Sequence, residues 1–496
     1  METKIMLIYP ECEGSITNTV TYTLPLGLGS IATYCKQKFG DQIDIKILDS
    51  SIIPHGEQIE SLKNFKPNIV GFAPTLASQK NSYKLAEGAK KNGADVFFGG
   101  VNSSALYNNM LKNRKFIDGV VLYDGEIPFS EIVKRKILGD SSLEGIPNLA
   151  SRDKDGKVIP PERIYIPNLG ELPNINYSLF DMKRFLKQAR ERGFGNAVSY
   201  YAGKGCAKRS TKGLETEYNF KEYTDLVSKM NTCTFCGRNE LGFRLMEGKR
   251  EEEIVKELYT KFGIRGFFNV QDTVNLKNKN PIGLDDSWFR VFIGAESITP
   301  ENIKTLQSRY GKHLIFQVGV ESADPNMRRN YKKPETSLDD MLRNVDLLKE
   351  NNIQLHASFI LGGRGETPES MEVTTGLAKK LAEYDNTSWV LISPQIILPG
   401  SPDYRELLKD PAMEEKYGDR DLIEIPEISE DFLKQSTNGI TRRDILDEIK
   451  KTFEDIRKIN PDLVLDAKGV IGWEEEYIQP SRPYIPSVKP VCETKD

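Results

Sequence analysis

Three cysteines, Cys206, Cys233 and Cys236, have the type and spacing to hold a metal centre. The run Cys233-Thr234-Phe235-Cys236-Gly237 places two thiols on what reads as one tight turn. Upstream, Gly203-Lys204-Gly205-Cys206 reads as a turn leaving a strand. Together they look like a Cys-x3-Cys-x2-Cys iron–sulfur site whose first gap has grown to 26 residues. Three thiolates leave one iron of a four-iron cluster open, and an open iron binds and activates a small molecule. Lengthening that loop costs ~2 kcal/mol of closure entropy by the logarithmic rule, which cluster ligation exceeds.

Two other readings compete. A structural zinc site wants four protein ligands, but the histidines are His55, His313 and His356, none close in sequence. Alternatively the thiols are unrelated and Cys206 is a bystander. Ser210 stands where an unstretched second cysteine would be. Cys233 is the better ligand because Thr-Phe-Cys-Gly follows it in register. Cys12, Cys35 and Cys492 stand alone, as small buried or tail thiols do. Six cysteines this scattered make no disulfide framework.

The elements around them fall into an α/β pattern. At 496 residues two or three domains are expected. Apolar runs at 4–9, 43–48, 68–73, 94–98 and 119–122 read as buried parallel strands, with amphipathic helices such as 26–38 and 78–92 between them. That alternation predicts a doubly wound, Rossmann-like domain over 1–140, with ligand loops at 10–15, 74–78, 99–103 and 124–127. Residues 141–190, rich in Pro, Gly, Asn and Asp, read as an ordered linker because Ile, Leu and Tyr recur in it. Strands at 197–202, 265–270, 290–294, 314–320, 354–361 and 388–393, with helices at 251–262, 300–310, 338–350 and 368–384, predict a partial (β/α)6 TIM-type barrel over 191–405. Residues 406–496 read as mostly helical with a Pro-rich end.

The net charge of −4 offers no basic field for nucleic acid or an anionic membrane. No apolar run approaches the roughly 18 residues that span a bilayer. The opening Met-Glu-Thr-Lys-Ile-Met-Leu-Ile lacks the pattern of a secretory signal, so a cytoplasmic protein is expected.

Over roughly residues 1–405 the chain resembles the cobalamin-binding radical S-adenosylmethionine (SAM) family. The resembling segments are Thr23-Leu24-Pro25-Leu26-Gly27-Leu28 with Ile31-Ala32, Phe97-Phe98-Gly99-Gly100 and Asp124-Gly125-Glu126. In the same order follow Ile146-Pro147-Asn148-Leu149 through Leu172-Pro173, Gly319-Val320-Glu321-Ser322, Leu361-Gly362-Gly363 with Gly365-Glu366-Thr367, and Leu398-Pro399-Gly400-Ser401-Pro402. Each alone is weak; their shared order is what carries the likeness. The 26-residue gap departs from the family pattern, and residues 208–230 within it carry Tyr218, Phe220, Tyr223 and helical propensity from 220 to 230.

The resemblance implies a 4Fe–4S cluster on Cys206, Cys233 and Cys236, whose unique iron binds SAM and, with one electron, yields a 5′-deoxyadenosyl radical. It implies SAM contacts at Phe235, Gly237, Gln271, Asp272, Glu296, Gly319, Glu321 and Gly362. The first domain would bind cobalamin through Leu24, Pro25, Leu26, Thr75, Leu76, Gly99, Gly100, Asp124, Gly125 and Glu126. Tyr9-Pro10-Glu11-Cys12-Glu13-Gly14 stands where corrinoid domains with a lower histidine ligand carry Asp-x-His-x-x-Gly. His55 reads as a turn histidine, so this chain supplies no evident lower ligand. The implied reaction is methylation of an unactivated carbon in a small molecule or peptide, with a flavodoxin or ferredoxin as electron donor. The alternatives are a non-methylating rearrangement, cyclisation or oxidation, a radical enzyme without corrinoid, and a zinc-stabilised binding module.

Overall fold

The computed structural model describes residues 2–12, 23–209, 214–238, 240–334 and 336–467. Ser210, Cys492, the Pro-rich end and part of the loop expected at 10–15 lie outside them.

Apolar runs become central strands here because both faces of each strand are covered by helices. β1 (Thr3–Tyr9), β2 (Ile43–Asp49), β3 (Ile69–Phe72), β4 (Asp95–Phe98) and β5 (Gly119–Val121) form a parallel sheet in the order β2-β1-β3-β4-β5. The order reverses between β1 and β3, so a crevice opens beyond the carboxyl ends of the strands there. The sheet does not stop at β5. β6 (Leu149–Arg152) and β7 (Val158–Ile159) add two antiparallel strands, giving seven. These residues were expected in the linker. Their runs are too short and polar to signal a strand, and the open edge of β5 supplies the pairing.

The second sheet is also seven-stranded and wholly parallel. After β8 (Arg163–Tyr165) come β9 (Ala197–Tyr200), β10 (Gly203–Gly205), β11 (Glu217–Asn219) and β12 (Phe243–Leu245). β13 (Gly266–Asn269), β14 (Trp288–Ile293), β15 (Leu314–Glu321), β16 (Gln354–Leu361) and β17 (Thr387–Pro394) then build the partial barrel on β9. Six strands were expected; β18 (Val464–Asp466) is a seventh, beside β17. It returns from the stretch read as helical, and three residues are too few to show a period. It is delivered by the helix Arg442–Ile459, which starts at a reciprocal Thr441–Asp444 capping box and buries Ile445, Ile449, Phe453 and Ile456. Those positions, three or four apart, make one stripe that packs on helix Pro368–Ala382.

The excursion between Cys206 and Cys233 is ordered by pairing and packing. β11 pairs antiparallel with β8. Helix Phe220–Lys229 follows, and Tyr218 and Tyr223 close a small core with Ile164, Ile166 and Leu241. Tyr223 also packs at a tilt on Tyr123, ring centroids 4.6 Å apart, and Phe220 meets Tyr107 edge-on at 6.1 Å. The excursion therefore packs on the first α/β unit. Among the described residues no helix is long and apolar enough to cross a membrane.

Candidate functional site

The long gap between Cys206 and Cys233 closes in space through one small hairpin. β10, just before Cys206, pairs antiparallel with β12, just after Cys236, with Gly205 opposite Phe243. Gly205 adopts φ +84°, and a Cβ there would collide with the Gly242 carbonyl. Only glycine fits that approach. The Arg209 N–H donates to Cys206 O at 2.8 Å, and the Cys236 N–H donates to Cys233 O at 3.2 Å. From the turn after Cys206, Lys208 Nζ reaches Cys233 Sγ at 3.4 Å and Arg209 Nη2 reaches Cys236 Sγ at 4.0 Å. Two cations from one cysteine's turn thus face the other two sulfurs. Burial pushes the Cys233 thiol up, while Lys333 and Lys208 oppose that.

Among the described residues, no three His, Cys, Asp or Glu side chains converge tightly enough for a single metal ion. A four-iron cluster is a larger body whose thiolates ligate different irons. The three half-exposed sulfurs beside lysine and arginine fit its anionic character. The Cys233–Gly237 turn is docked on the loop after β17. Asp403 N donates to Thr234 O at 3.0 Å, and a Cβ on Gly237 would stand 2.8 Å from Leu398.

Most residues assigned to SAM gather around this turn. Phe235 meets Tyr331 edge-on at 5.4 Å, and Tyr331 is buried against Gly363, where a Cβ would collide with its hydroxyl. Gly362 adopts φ +86° and donates its N–H to Glu366 Oε2 at 2.9 Å. Glu321 sits at φ +63° and pairs with Lys333 at 3.2 Å, over the space left by Gly319. Burial pushes the Arg328 guanidinium down, against the opposing charges of Glu321 and Glu296. Arg328 is held by Val320 O at 2.7 Å and Ser322 O at 3.3 Å. Two residues assigned to SAM line the second of the two cavities described below. Asp272 pairs with Arg238 at 2.9 Å, and Gln271 lies over Gly203.

Two adjoining cavities lie between the first sheet and the barrel. They share Leu26, Gly27, Gly100, Tyr123, Asp124 and Lys204. The first has an apolar floor at the strand ends, including Phe72, Phe97, Phe98 and Val121, and is opened by Gly71 and Gly99. Of the residues assigned to cobalamin, Pro25, Leu26, Gly99, Gly100, Asp124, Gly125 and Glu126 line it. Leu24, Thr75 and Leu76 do not. Leu24 is tied by its N–H to Ser199 Oγ at 2.9 Å, Thr75 caps a short turn onto Ser78, and Leu76 is buried in the core beneath. His55 opens the helix His55–Phe65 and is not among the residues lining either cavity.

A buried charge network spans the cavity rim. Lys204 Nζ bonds Asp124 Oδ1 at 2.9 Å and Glu126 Oε1 at 2.8 Å. Arg244 Nη2 holds Asp124 Oδ2 at 2.8 Å, and Ser30 donates to Glu126 Oε1 at 2.7 Å. Burial alone would lift the Asp124 carboxyl, but Lys204 and Arg244 hold it below the usual carboxylate range. Lys204 and Arg244 carry no mark in the sequence, since neither belongs to a chemical pattern. A second polar group also escapes sequence reading. Arg290 donates to Gln317 and stacks 4.3 Å from Phe268, on the sheet face that also carries His356 and Trp389.

Comparison with known proteins follows the same lines. The Radical SAM superfamily model matches residues 230–378, which take in Cys233 and Cys236 and begin past Cys206. Residues 230–378 therefore carry a radical SAM domain. The chain is 27% identical over 412 residues to an uncharacterized methyltransferase of Pyrococcus horikoshii, covering 79% of the chain and 81% of that protein. It is 20% identical to the anaerobic magnesium-protoporphyrin IX monomethyl ester cyclase of Rubrivivax gelatinosus, over 79% of the chain and 68% of the cyclase. The radical SAM methyltransferase TsrM of Kitasatospora setae, solved with cobalamin and a 4Fe–4S cluster, superposes with a TM-score of 0.60 at 15% identity, covering 83% and 76% of the two chains. The cobalamin-dependent SAM radical enzyme OxsB, solved with aqua-cobalamin, gives 0.58 at 16% identity over 84% of this chain and 56% of OxsB. The chain has their fold.

Proposed function

We propose that this enzyme is a cobalamin-dependent radical SAM methyltransferase acting on an unactivated carbon of a small molecule or peptide. One observation carries the reading. A large apolar cavity at the strand ends of the first sheet reaches Lys204, two residues before Cys206. The glycine-opened floor and the buried, uncommitted oxygen of Glu126 fit a broad ligand with polar arms. Bound together, the cluster, SAM and cobalamin supply a carbon-centred radical and a transferable methyl group.

The chain's own residues then divide the work. Cys206, Cys233 and Cys236 ligate the cluster. Phe235, Gly237, Glu296, Gly319, Glu321 and Gly362 shape the SAM site, with Glu321 and Lys333 suited to its amine and carboxylate. Pro25, Leu26, Gly99, Gly100 and Gly125 bring backbone close to the corrinoid. Tyr123 and the excursion behind it exclude water from the cavity mouth. No histidine lines the cavity, so these walls would offer a bound corrinoid no imidazole. The electron comes from a flavodoxin or ferredoxin.

The test starts with anaerobically reconstituted protein, desalted after incubation with hydroxocobalamin. Retention of about one corrinoid per chain beside the cluster absorption is expected. Turnover should then yield S-adenosylhomocysteine as well as 5′-deoxyadenosine. The likeness to the Rubrivivax cyclase favours a second reading, a non-methylating cyclisation or oxidation, which yields 5′-deoxyadenosine without S-adenosylhomocysteine. Cluster without retained corrinoid rules out both.

A further inference from the structure

Gln271 stands just past β13 and is 2% exposed, yet both Oε1 and Nε2 are buried without a partner. Its backbone N–H is committed to Asn269 Oδ1 at 3.1 Å, so the side-chain amide alone is free. Buried polar groups almost always find a hydrogen-bond partner, so a carboxamide with two open sites marks the place of something else. The side chain lies over Gly203, where a Cβ would stand 2.8 Å from Nε2, and it lines the second cavity. That cavity is also lined by Leu26, Gly27 and Gly100, at the starts of two helices of the first sheet, and not by Phe235, Glu296 or Glu321.

Glu126 makes a matching site across β10. It is also 2% exposed, and its Oε1 accepts from Ser30 and Lys204. Its Oε2 is buried and unpartnered, and the residue lines the first cavity. The two open groups therefore flank the consecutive residues Gly203 and Lys204. One wall offers an acceptor, and the other offers a donor beside an acceptor.

That pattern complements primary carboxamides. A carboxamide meeting Gln271 pairs twice, giving an N–H to Oε1 and taking one from Nε2, while a second gives an N–H to Glu126 Oε2. A corrin ring carries carboxamide arms around its rim. We propose that Gln271 and Glu126 read two peripheral carboxamides of the corrinoid from opposite walls of the joined cavity. This inference rests on the corrinoid reading above, and it moves Gln271 from the SAM site to the corrinoid site.

The experiment uses full-length, cluster-reconstituted protein and equilibrium dialysis against hydroxocobalamin, with SAM binding measured in parallel. Gln271→Leu keeps the side chain's size and removes both hydrogen-bonding sites. It should weaken corrinoid binding at least tenfold while leaving iron content and SAM affinity unchanged. The second probes are hydroxocobalamin monocarboxylates, each with one peripheral amide hydrolysed. Wild-type protein should bind one isomer at least tenfold worse than hydroxocobalamin, and Gln271→Leu should bind that isomer and hydroxocobalamin equally. If wild-type protein retains corrinoid and Gln271→Leu binds it equally well, the inference is overturned while the corrinoid reading stands. A fall in SAM affinity with corrinoid binding unchanged overturns it in favour of an adenosyl contact. If wild-type protein retains no corrinoid, the underlying reading fails and the inference falls with it.

Discussion

The two seven-stranded sheets end at neighbouring spaces but line them with opposite chemistry. The first sheet offers Phe72, Phe97, Phe98 and Val121 with Gly71 and Gly99 between them, and its charges are confined to the rim. The barrel ends in a paired Glu321 and Lys333, the buried Arg328 and the exposed Glu296. An apolar, glycine-opened floor holds a broad ligand by area and close backbone approach. A charged rim over a cysteine turn holds a small zwitterion beside a metal centre. The same strand-end architecture serves both, so the residue types at the ends, and not the sheet, decide which ligand goes where.

The comparison breaks most sharply at the cysteines. Replacing Cys206, Cys233 or Cys236 by Ala should abolish cluster iron and 5′-deoxyadenosine formation while the corrinoid cavity stays intact. Iron and sulfide analysis with hydroxocobalamin retention reads both halves at once. The converse variant is Gly27→Trp. Gly27 is exposed on helix Leu26–Phe39, lines both cavities, and a Cβ there meets nothing within 4 Å. Filling that space should abolish corrinoid retention and spare the cluster. Thermal stability should not fall, since removing a helical glycine contributes about 0.5 kcal/mol or more.

Lys204 joins the two halves and tests whether they are independent. Lys204→Met leaves Asp124 and Glu126 with less counter-charge in a buried site and should cost about 3 kcal/mol in urea unfolding. The pH dependence has a definite sign. Asp124 is held below its ordinary value, so its contribution is present above about pH 4 and lost as pH falls further. Lys204→Met should therefore move the acid-unfolding midpoint upward. Asp49 gives the smallest effect and the opposite sign. It ends β2 outside the cavity, and burial lifts its carboxyl to about 6. An acid lifted this way binds its proton more tightly when folded, so stability falls as pH rises from about 4 through 6. Asp49→Asn should match the wild type near pH 4 and melt later near pH 8, by about 1–2 kcal/mol.

Much of the architecture was legible because parallel strands covered on both faces read as unbroken apolar runs. The run at 354–361 coincides with β16, and those at 43–48 and 314–320 fall one residue short of β2 and β15. β6 and β18 were not legible, because runs of three or four residues have no period and exist only through a neighbour's edge. The cysteine spacing pointed to the turn at 233–237, and the glycine pair to the cavity wall that Gly99 and Gly100 line. Which ligand Gln271, Asp272, Thr75 and Leu76 meet is not legible in the same way. Each sits at the end of a correctly placed strand, but a strand end does not say which way its loop turns. Lys204 lies inside a motif that drew attention for its glycines, and its importance comes from Asp124 and Glu126, some 80 residues earlier.

The last barrel strand has a consequence for how the molecule is made. β18 pairs with β17, but about 70 residues of chain separate them, and β18 follows the long helix that carries it. At translation rates of about 5–20 residues per second, β17 leaves the ribosome seconds before the strand that covers its free edge. An uncovered parallel edge is a template for another chain. The half-synthesised barrel is therefore the state most exposed to chaperones and to mispairing, and slower translation across residues 395–463 would lengthen that exposure.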